Sequence, residues 1–280
     1  MYIAILLIGL TGAISAFILY FISKKFEVRE DLRIAQILKI LPGANCGGCG
    51  YPGCGGFADA CVKATSLDGL SCPVGKAEVM ASIAALLGQA AAESIPQIAV
   101  VRCNGSCEAR SRTNIYDSAK TCAIASSLYC GETGCSYGCF GWGDCVEACK
   151  FDAIHVSPVT GLAEVSEEKC VACGACVRAC PKNIIEMRNK GPKSHRIFVS
   201  CVNRDKGAVA RKVCDKACIG CNKCMKECAF NAVTVTQHVG YIDDTKCNLC
   251  GKCVAVCPTG SIVEASPSPS RRGGLNTADN

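Results

Sequence analysis

An α+β architecture is predicted for this chain by three features: an uncharged apolar stretch at the N-terminus, cysteines spaced two and three residues apart, and a long internal repeat whose copies close on short β-prone segments. Of 280 residues, 27 are cysteine and only 6% are aromatic, so ordinary core material is scarce. The chain is long, its cysteine count is odd, and neighbouring cysteines stand too close together for a dense set of unstrained disulfides. That combination argues against a secreted disulfide scaffold and for compact metal centres.

The first element is "YIAILLIGLTGAISAFILYFIS", which carries no charge from Tyr2 to Ser23 and has the length of a helix that spans a bilayer. Basic residues follow this stretch instead of preceding it, the reverse of a cleaved signal peptide, so residues 1–23 are read as a retained single-pass transmembrane anchor. Lys24, Lys25, Arg29 and Arg33 set the following chain on the cytoplasmic side of the cell inner membrane, where thiols stay reduced. A buried helix of a soluble protein is the other reading.

Next comes "VREDLRIAQILKILPGANCGGCGYPGC", a short amphipathic helix with Leu32, Ile34, Ile37, Leu38 and Leu41 apolar, stopped by Pro42 and delivering a glycine-rich cysteine loop. "KAEVMASIAALLGQAAA" predicts a second helix over 76–92, and Pro96 opens a new unit, which bounds a small domain at 24–96. Residues 265–280 lack apolar periodicity and are expected to be a disordered tail.

Between these limits the sequence repeats. An offset of 79 carries Cys122, Cys135, Cys139, Cys145 and Cys149 onto Cys201, Cys214, Cys218, Cys224 and Cys228. An offset of 77 carries Cys170, Cys173, Cys176 and Cys180 onto Cys247, Cys250, Cys253 and Cys257. "FDAIHV" and "FNAVTV" follow the first run of each copy, and "NIIEM" and "GSIVE" the second, as β-prone segments.

"CIGCNKCMKEC" and "CNLCGKCVAVC" both spell C-x2-C-x2-C-x3-C, the run of a bacterial ferredoxin, in which the fourth cysteine serves the other run's cluster. One four-iron cluster is therefore expected on Cys218, Cys221, Cys224 and Cys257, and another on Cys247, Cys250, Cys253 and Cys228. Zinc ribbons instead use separated pairs. In the earlier copy Cys170, Cys173 and Cys176 are joined by Cys149, whereas the run holding Cys139, Cys145 and Cys180 has Trp142 where a cysteine belongs. Cys135 is the expected substitute; a three-iron centre or a ligand from outside is the alternative.

Near the anchor, Cys46, Cys49, Cys54 and Cys72 form a separate C-x2-C-x4-C-x17-C site. Its glycines let backbone amides approach the sulfurs, and no strand precedes it as a nucleotide loop would require. Cys61 reads as a passenger on the helix that follows. Cys103, Cys107 and Cys122, with either Cys201 or Cys214, are candidates for a further cluster or are structural thiols; Cys130 is unassigned.

The fold class is thus α+β: an N-terminal transmembrane helix, a small helical iron–sulfur domain, and two tandem two-cluster ferredoxin-like modules at 97–190, which includes an N-terminal extension, and 191–264. About five [4Fe-4S] clusters are expected, six with the extra cysteines. Each cluster with four thiolates carries about two negative charges, so the formal +6 is no nucleic-acid footprint. With no Walker loop, Rossmann fingerprint or nucleophile triad, the chain itself has no hydride or hydrolytic site. "RNKGPKSHR", residues 188–196, is read as a solvated loop, with docking of an acidic partner as the alternative; His155, His195 and His238 are assigned to surface or loop positions.

The anchor, the "ILPGANCGGCGYPGCGGFADAC" loop with Cys72 beyond it, and the "GCSYGCFGWGDC" stretch with its ferredoxin modules resemble the B component of the Rnf complex, a membrane-anchored polyferredoxin, in its long multi-cluster form. That complex is a membrane-bound ferredoxin:NAD oxidoreductase that pumps sodium or protons. The resemblance covers residues 1 to about 264. It implies electrons entering from reduced ferredoxin at the distal modules and passing to membrane subunits through the Cys46 to Cys72 site, with flavin and NAD on other subunits. Lys150 and Ala229 depart from the proline that often follows the fourth cysteine. Two competing readings are an electron-feeding subunit of a membrane hydrogenase or other reductase, and a zinc-rich structural or nucleic-acid-binding protein.

Overall fold

The computed structural model describes residues 2–25, 31–90, 95–128 and 131–265. Arg29, Cys130, the expected helix end at Ala92 and the tail beyond Ala265 lie outside the described residues. Helix α1 (Tyr2–Lys25) runs 24 residues and ends on Lys24 and Lys25. At 1.5 Å per residue it is about 36 Å long. Its large apolar side chains face outward, Leu19 at 65% and Phe17 at 66% exposure. Among the described residues no helix qualifies as long and apolar enough to cross a membrane; the side chains of Ala4, Ile5, Leu7 and Ile8 in α1 lie outside that description.

Three helices, α2 (Leu32–Ile40), α3 (Gly53–Lys63) and α4 (Lys76–Leu87), build the small domain around Ile37, Phe57, Leu67, Met80 and Ile83. The Asp31 carboxylate caps α2 by accepting the Arg33 N–H at 2.9 Å. The residue before Pro42, Leu41, is extended and ends α2. Leu32 and Leu38, expected on the apolar face, are exposed, because Ile34, Ile37 and Leu41 define the buried stripe. Gly88, with φ 65°, closes α4 at Leu87, short of the predicted end.

The remainder is a duplicated β-hairpin-and-sheet unit. The first copy contains β1 (Gln97–Val101), α5 (Cys122–Leu128), α6 (Asp144–Glu147), β2 (Ile154–Val156), β3 (Ala163–Val165), α7 (Ala175–Ala179) and β4 (Ile185–Asn189). After a 3-10 turn at Pro192–Ser194, the second contains β5 (Arg196–Val199), α8 (Gly207–Val213), α9 (Lys223–Glu227), β6 (Val233–Thr236), β7 (Val239–Ile242), α10 (Lys252–Ala255) and β8 (Ile262–Ala265). In each, the first and last strands pair antiparallel, Val101 against Ile185 and Val199 against Ile262, and the middle two form a hairpin. The predicted β segments fall on β2, β4, β6 and β8.

The two copies pack face to face through Ile98, Val100 and Phe198. Arg188 on β4, 2% exposed, lies 4.9 Å from the Tyr241 ring centroid and 5.9 Å from that of Phe198, and its Nε bonds Glu186 at 2.5 Å. Arg102 approaches the same Tyr241 ring at 5.0 Å and the same Glu186 at 3.2 Å. Arg196 is 9% exposed and pairs with Glu167 at 2.6 Å. The ends of "RNKGPKSHR" are therefore strand residues buried in the unit, which corrects the solvated-loop reading. His155 and His238 are exposed, and His195 contacts Glu264.

Candidate metal centres

Each cysteine run folds the same way. Two residues after its first cysteine the backbone is left-handed (Gly141, Ala172, Gly220, Leu249), and so it is two residues before its third cysteine (Gly143, Gly174, Asn222, Gly251). Such alternation turns successive N–H groups to one side and forms the anion-binding nest common at iron–sulfur sites. Ala172 and Leu249 accept that strained conformation. The run interrupted by Trp142 keeps both positions, so its loop geometry is intact.

Backbone amides also point at sulfur. Gly75 donates to Cys72 Sγ at 3.4 Å, Ala153 to Cys149 Sγ at 3.4 Å and Gly240 to Cys218 Sγ at 3.4 Å. Donors of this kind favour thiolate over thiol. Among the described residues no three His, Cys, Asp or Glu side chains converge on a single ion. A cube of four irons takes one thiolate per corner and needs no such convergence.

In the small domain, burial raises the Cys72 thiol, Gly75 and Val74 amides oppose it, and Cys49 and Cys54 stand close by. Asn45 Oδ1 accepts the Cys54 N–H at 2.8 Å. Cys46 lies on the flank of this loop, where Arg178 Nη2 donates to its carbonyl at 3.3 Å and its thiol faces Cys173. Cys61 is fully buried in the helical core, its thiol pushed up to about 11 by burial and by Cys49 and Cys72.

The fourth cysteines Cys149, Cys228 and Cys257 each lie near the first three cysteines of another run. Burial, then Cys170, Cys173 and Cys149, push Cys176 up to about 11. Burial, then Cys247, Cys224, Cys250 and Cys228, push Cys253 up to about 11. Cys218, Cys221, Cys224 and Cys257 line one small cavity. Burial raises Cys257, but the Ser261 hydroxyl at 3.3 Å, the Thr259 and Ile262 amides and the Thr259 hydroxyl outweigh it and leave this thiol below its ordinary value.

Beside the interrupted run the structure places Cys122 and not the expected Cys135. A small cavity is lined by Cys139, Cys145, Cys180 and Cys122, not Cys135. Burial, then Cys139, Cys122 and Cys180, push Cys145 up to about 12. The Trp142 ring stacks between Phe140 (5.0 Å) and Tyr116 (4.9 Å), while its backbone N–H is directed at Cys122 Sγ. Helix α5 carries Cys122 to the place where the run lacks a sulfur. Cys135 faces a different cavity with Cys103, Cys201 and Cys214. Cys107 is exposed beside another cleft. Sequence reasoning counted Cys122 only among the extra cysteines; the signal for it was its fixed position in the repeat.

Nests, amide-to-sulfur bonds and repeated groups of cysteines define a multi-centre iron–sulfur electron carrier of ferredoxin type. Comparison with known families agrees: residues 41–69 match an Fe-S cluster family, residues 136–152 and 163–186 match 4Fe-4S binding domains, and residues 217–261 match a 4Fe-4S dicluster domain. The chain is 42% identical to the B component of the Na(+)-translocating ferredoxin:NAD(+) oxidoreductase complex of Acetobacterium woodii, over 91% of this chain and 75% of that protein. It is 40% identical to the B component of the ion-translocating oxidoreductase complex of Methanosarcina acetivorans, over 86% and 89%. It is 34% identical to the B component of the proton-translocating ferredoxin:NAD(+) oxidoreductase complex of Clostridium ljungdahlii, over 90% and 88%. The chain belongs to this family, the B components of the ion-translocating oxidoreductase (Rnf) complexes. It is an electron-relay subunit carrying multiple 4Fe-4S clusters.

Proposed function

We propose that this chain is the membrane-tethered arm that takes electrons from reduced ferredoxin and hands them to the membrane flavin and iron–sulfur subunits of its complex. The observation that carries this reading is the order in which its cysteine groups adjoin. Cys46 of the near-membrane loop faces Cys173. Cys176 of that second group lies beside Cys145 of the third, and Cys224 beside Cys253 in the distal unit. Clusters held at these positions supply one-electron transfer.

The residues that hold them are Cys46, Cys49, Cys54 and Cys72; Cys149, Cys170, Cys173 and Cys176; Cys122, Cys139, Cys145 and Cys180; Cys218, Cys221, Cys224 and Cys257; and Cys228, Cys247, Cys250 and Cys253. The chain positions each group by the nests and amides described above and shields it with the apolar residues of its own unit. Gly48 packs on Cys173 so closely that a Cβ there would stand 2.8 Å from the Cys173 Cα, which holds the small domain against the first ferredoxin-like unit.

Helix α1, with its length, outward apolar side chains and terminal Lys24 and Lys25, supports a single-pass anchor with the cluster-bearing residues on the cytoplasmic side. The domain division follows the same logic: anchor 1–23, small domain 24–96, and ferredoxin-like modules 97–190 and 191–264.

The test is anaerobic purification of the full chain, with iron, zinc and acid-labile sulfide counted and low-temperature EPR followed through a redox titration. At least about twenty irons and as many sulfides per chain, titrating as one-electron centres, are expected. Dominant zinc without sulfide overturns the reading.

A further inference from the structure

The junction between the small domain and the first ferredoxin-like unit is thin. The core of the small domain, around Ile37, Phe57 and Met80, and that of the unit, around Ile154, Leu162 and Ile184, have no residue in common. Helices α2, α3 and α4 pack on one another, and none packs broadly on a helix or strand of the unit. Loop meets loop instead: Gly48 sits on the Cys173 backbone, and the Cys46 thiol faces that of Cys173. Two bodies joined this way move relative to each other unless something ties them.

Arg178 is the tie. Among the described residues no ion pair crosses the junction. The hydrogen bond that does cross it runs from Arg178 Nη2 to the Cys46 carbonyl, at 3.3 Å. From Nη1 the same guanidinium donates to the Cys173 carbonyl at 3.4 Å. One planar fork therefore grips the backbone of the first cysteine of the near-membrane loop and of the second cysteine of its own run, and neither donor can swing away without moving the other. Gly174, with φ 71°, leaves room for the fork, since a Cβ there would stand 3.3 Å from Arg178 Nη1.

The cysteine spacing does not call for this side chain. Two residues after the third cysteine the four runs carry Glu147, Arg178, Lys226 and Ala255, so arginine stands in the run that meets the small domain and in none of the other three. Its charge suits the place. A four-iron cluster with four thiolates carries about two negative charges, and two such groups across a thin junction repel, which a cation between their loops offsets.

We propose that Arg178 is a positioning residue for electron transfer across this junction: its guanidinium clamps the Cys46 loop to the Cys173 loop and so fixes the separation of the two cluster groups. The proposal rests on the relay reading above. One electron crosses here, leaving the Cys173 group oxidised and the Cys46 group reduced, with no bond made or broken. Arg178 acts through the two carbonyls and not through a thiol.

The experiment compares the anaerobically purified full chain with Arg178→Ala and Arg178→Lys. A Cys54→Ala variant, which removes a ligand of the near-membrane centre, marks the part of the magnetic coupling in the EPR spectrum of the fully reduced protein that crosses the junction. Arg178→Ala is expected to keep the parent's iron and sulfide, to lose that part of the coupling, and to shift the midpoints of the two adjoining centres to more negative values, because a cation that favours their reduced forms is gone. Lysine keeps the charge without the fork, so Arg178→Lys is expected to retain the midpoints and still lose the coupling. Full coupling in either variant, or loss of iron from Arg178→Ala, overturns the clamp and leaves the relay reading in place. Zinc without sulfide in the parent defeats the relay reading itself. If Cys54→Ala fails to fold, the parent and Arg178→Ala spectra decide directly: weaker coupling supports the clamp and identical spectra overturn it.

Discussion

The Asp144 carboxylate accepts the backbone N–H of Cys122 at 2.7 Å, and that of Ala123 at 2.9 Å, tying the start of α5 to the loop that carries Cys145. The residue that follows the Trp142-Gly143 turn thus fixes the helix whose first sulfur fills the gap Trp142 leaves. Cys122→Ser is expected to lose between one and four irons, through a three-iron centre or complete loss of the cluster, while Cys107→Ser leaves the count unchanged; metal analysis and EPR of the reduced and oxidised protein check both. Asp144→Ala removes an anchor worth about 1 kcal/mol and lowers occupancy of the same site under mild chelation.

Docking of the small domain on the first ferredoxin-like unit depends on Gly48. An alanine methyl there meets Cys173 Cα at 2.8 Å and Cys173 O at 2.9 Å, both backbone atoms that cannot rotate away. Gly48→Ala is expected to cost about 1–3 kcal/mol of docking. Iron content stays at the parent value, and magnetic coupling between the two neighbouring centres weakens in the EPR spectrum of the fully reduced protein. An unchanged spectrum counts against this contact.

Between the ferredoxin-like units, Glu186 is the carboxylate shared by Arg188 and Arg102. Glu186→Gln leaves the Arg188 guanidinium buried without its counter-charge, which is expected to cost about 3–5 kcal/mol. The measurable effect is a lower temperature of iron release, since proteins with bound cofactors seldom unfold in two clean states.

The Ser261 hydroxyl lies 3.3 Å from Cys257 Sγ, whose thiol lies below its ordinary value, and it is the donor once that sulfur is a thiolate. Hydrogen bonds to cluster sulfur stabilise the more negative, reduced form and raise the potential. Ser261→Ala is therefore expected to make one distal centre harder to reduce, seen as a more negative midpoint in redox titration, with iron content unchanged.

Cysteine spacing was local information, and it carried far. C-x2-C-x2-C-x3-C runs dictate a nest whose left-handed positions fall at fixed offsets, and the cysteines expected together around Cys176, Cys224 and Cys253 lie near one another. The β-prone segments behind each run were equally local. β1 and β5, "QIAVV" and "RIFV", escaped notice because only pairing with the far end of their own unit, Val101 to Ile185 and Val199 to Ile262, makes them strands.

What the sequence by itself determined is the class of chemistry, the duplicated register and the complete cysteine runs, because each of these is written in spacings of a few residues. Tertiary structure alone decided which isolated sulfur goes where. Cys135 lies nearest Cys139 along the chain, yet α5 swings Cys122 into that group and leaves Cys135 facing Cys103, Cys201 and Cys214 across the interface of the two units. A ligand set assembled from segments dozens of residues apart depends on how strands and helices pack, and sequence separation carries no measure of that distance.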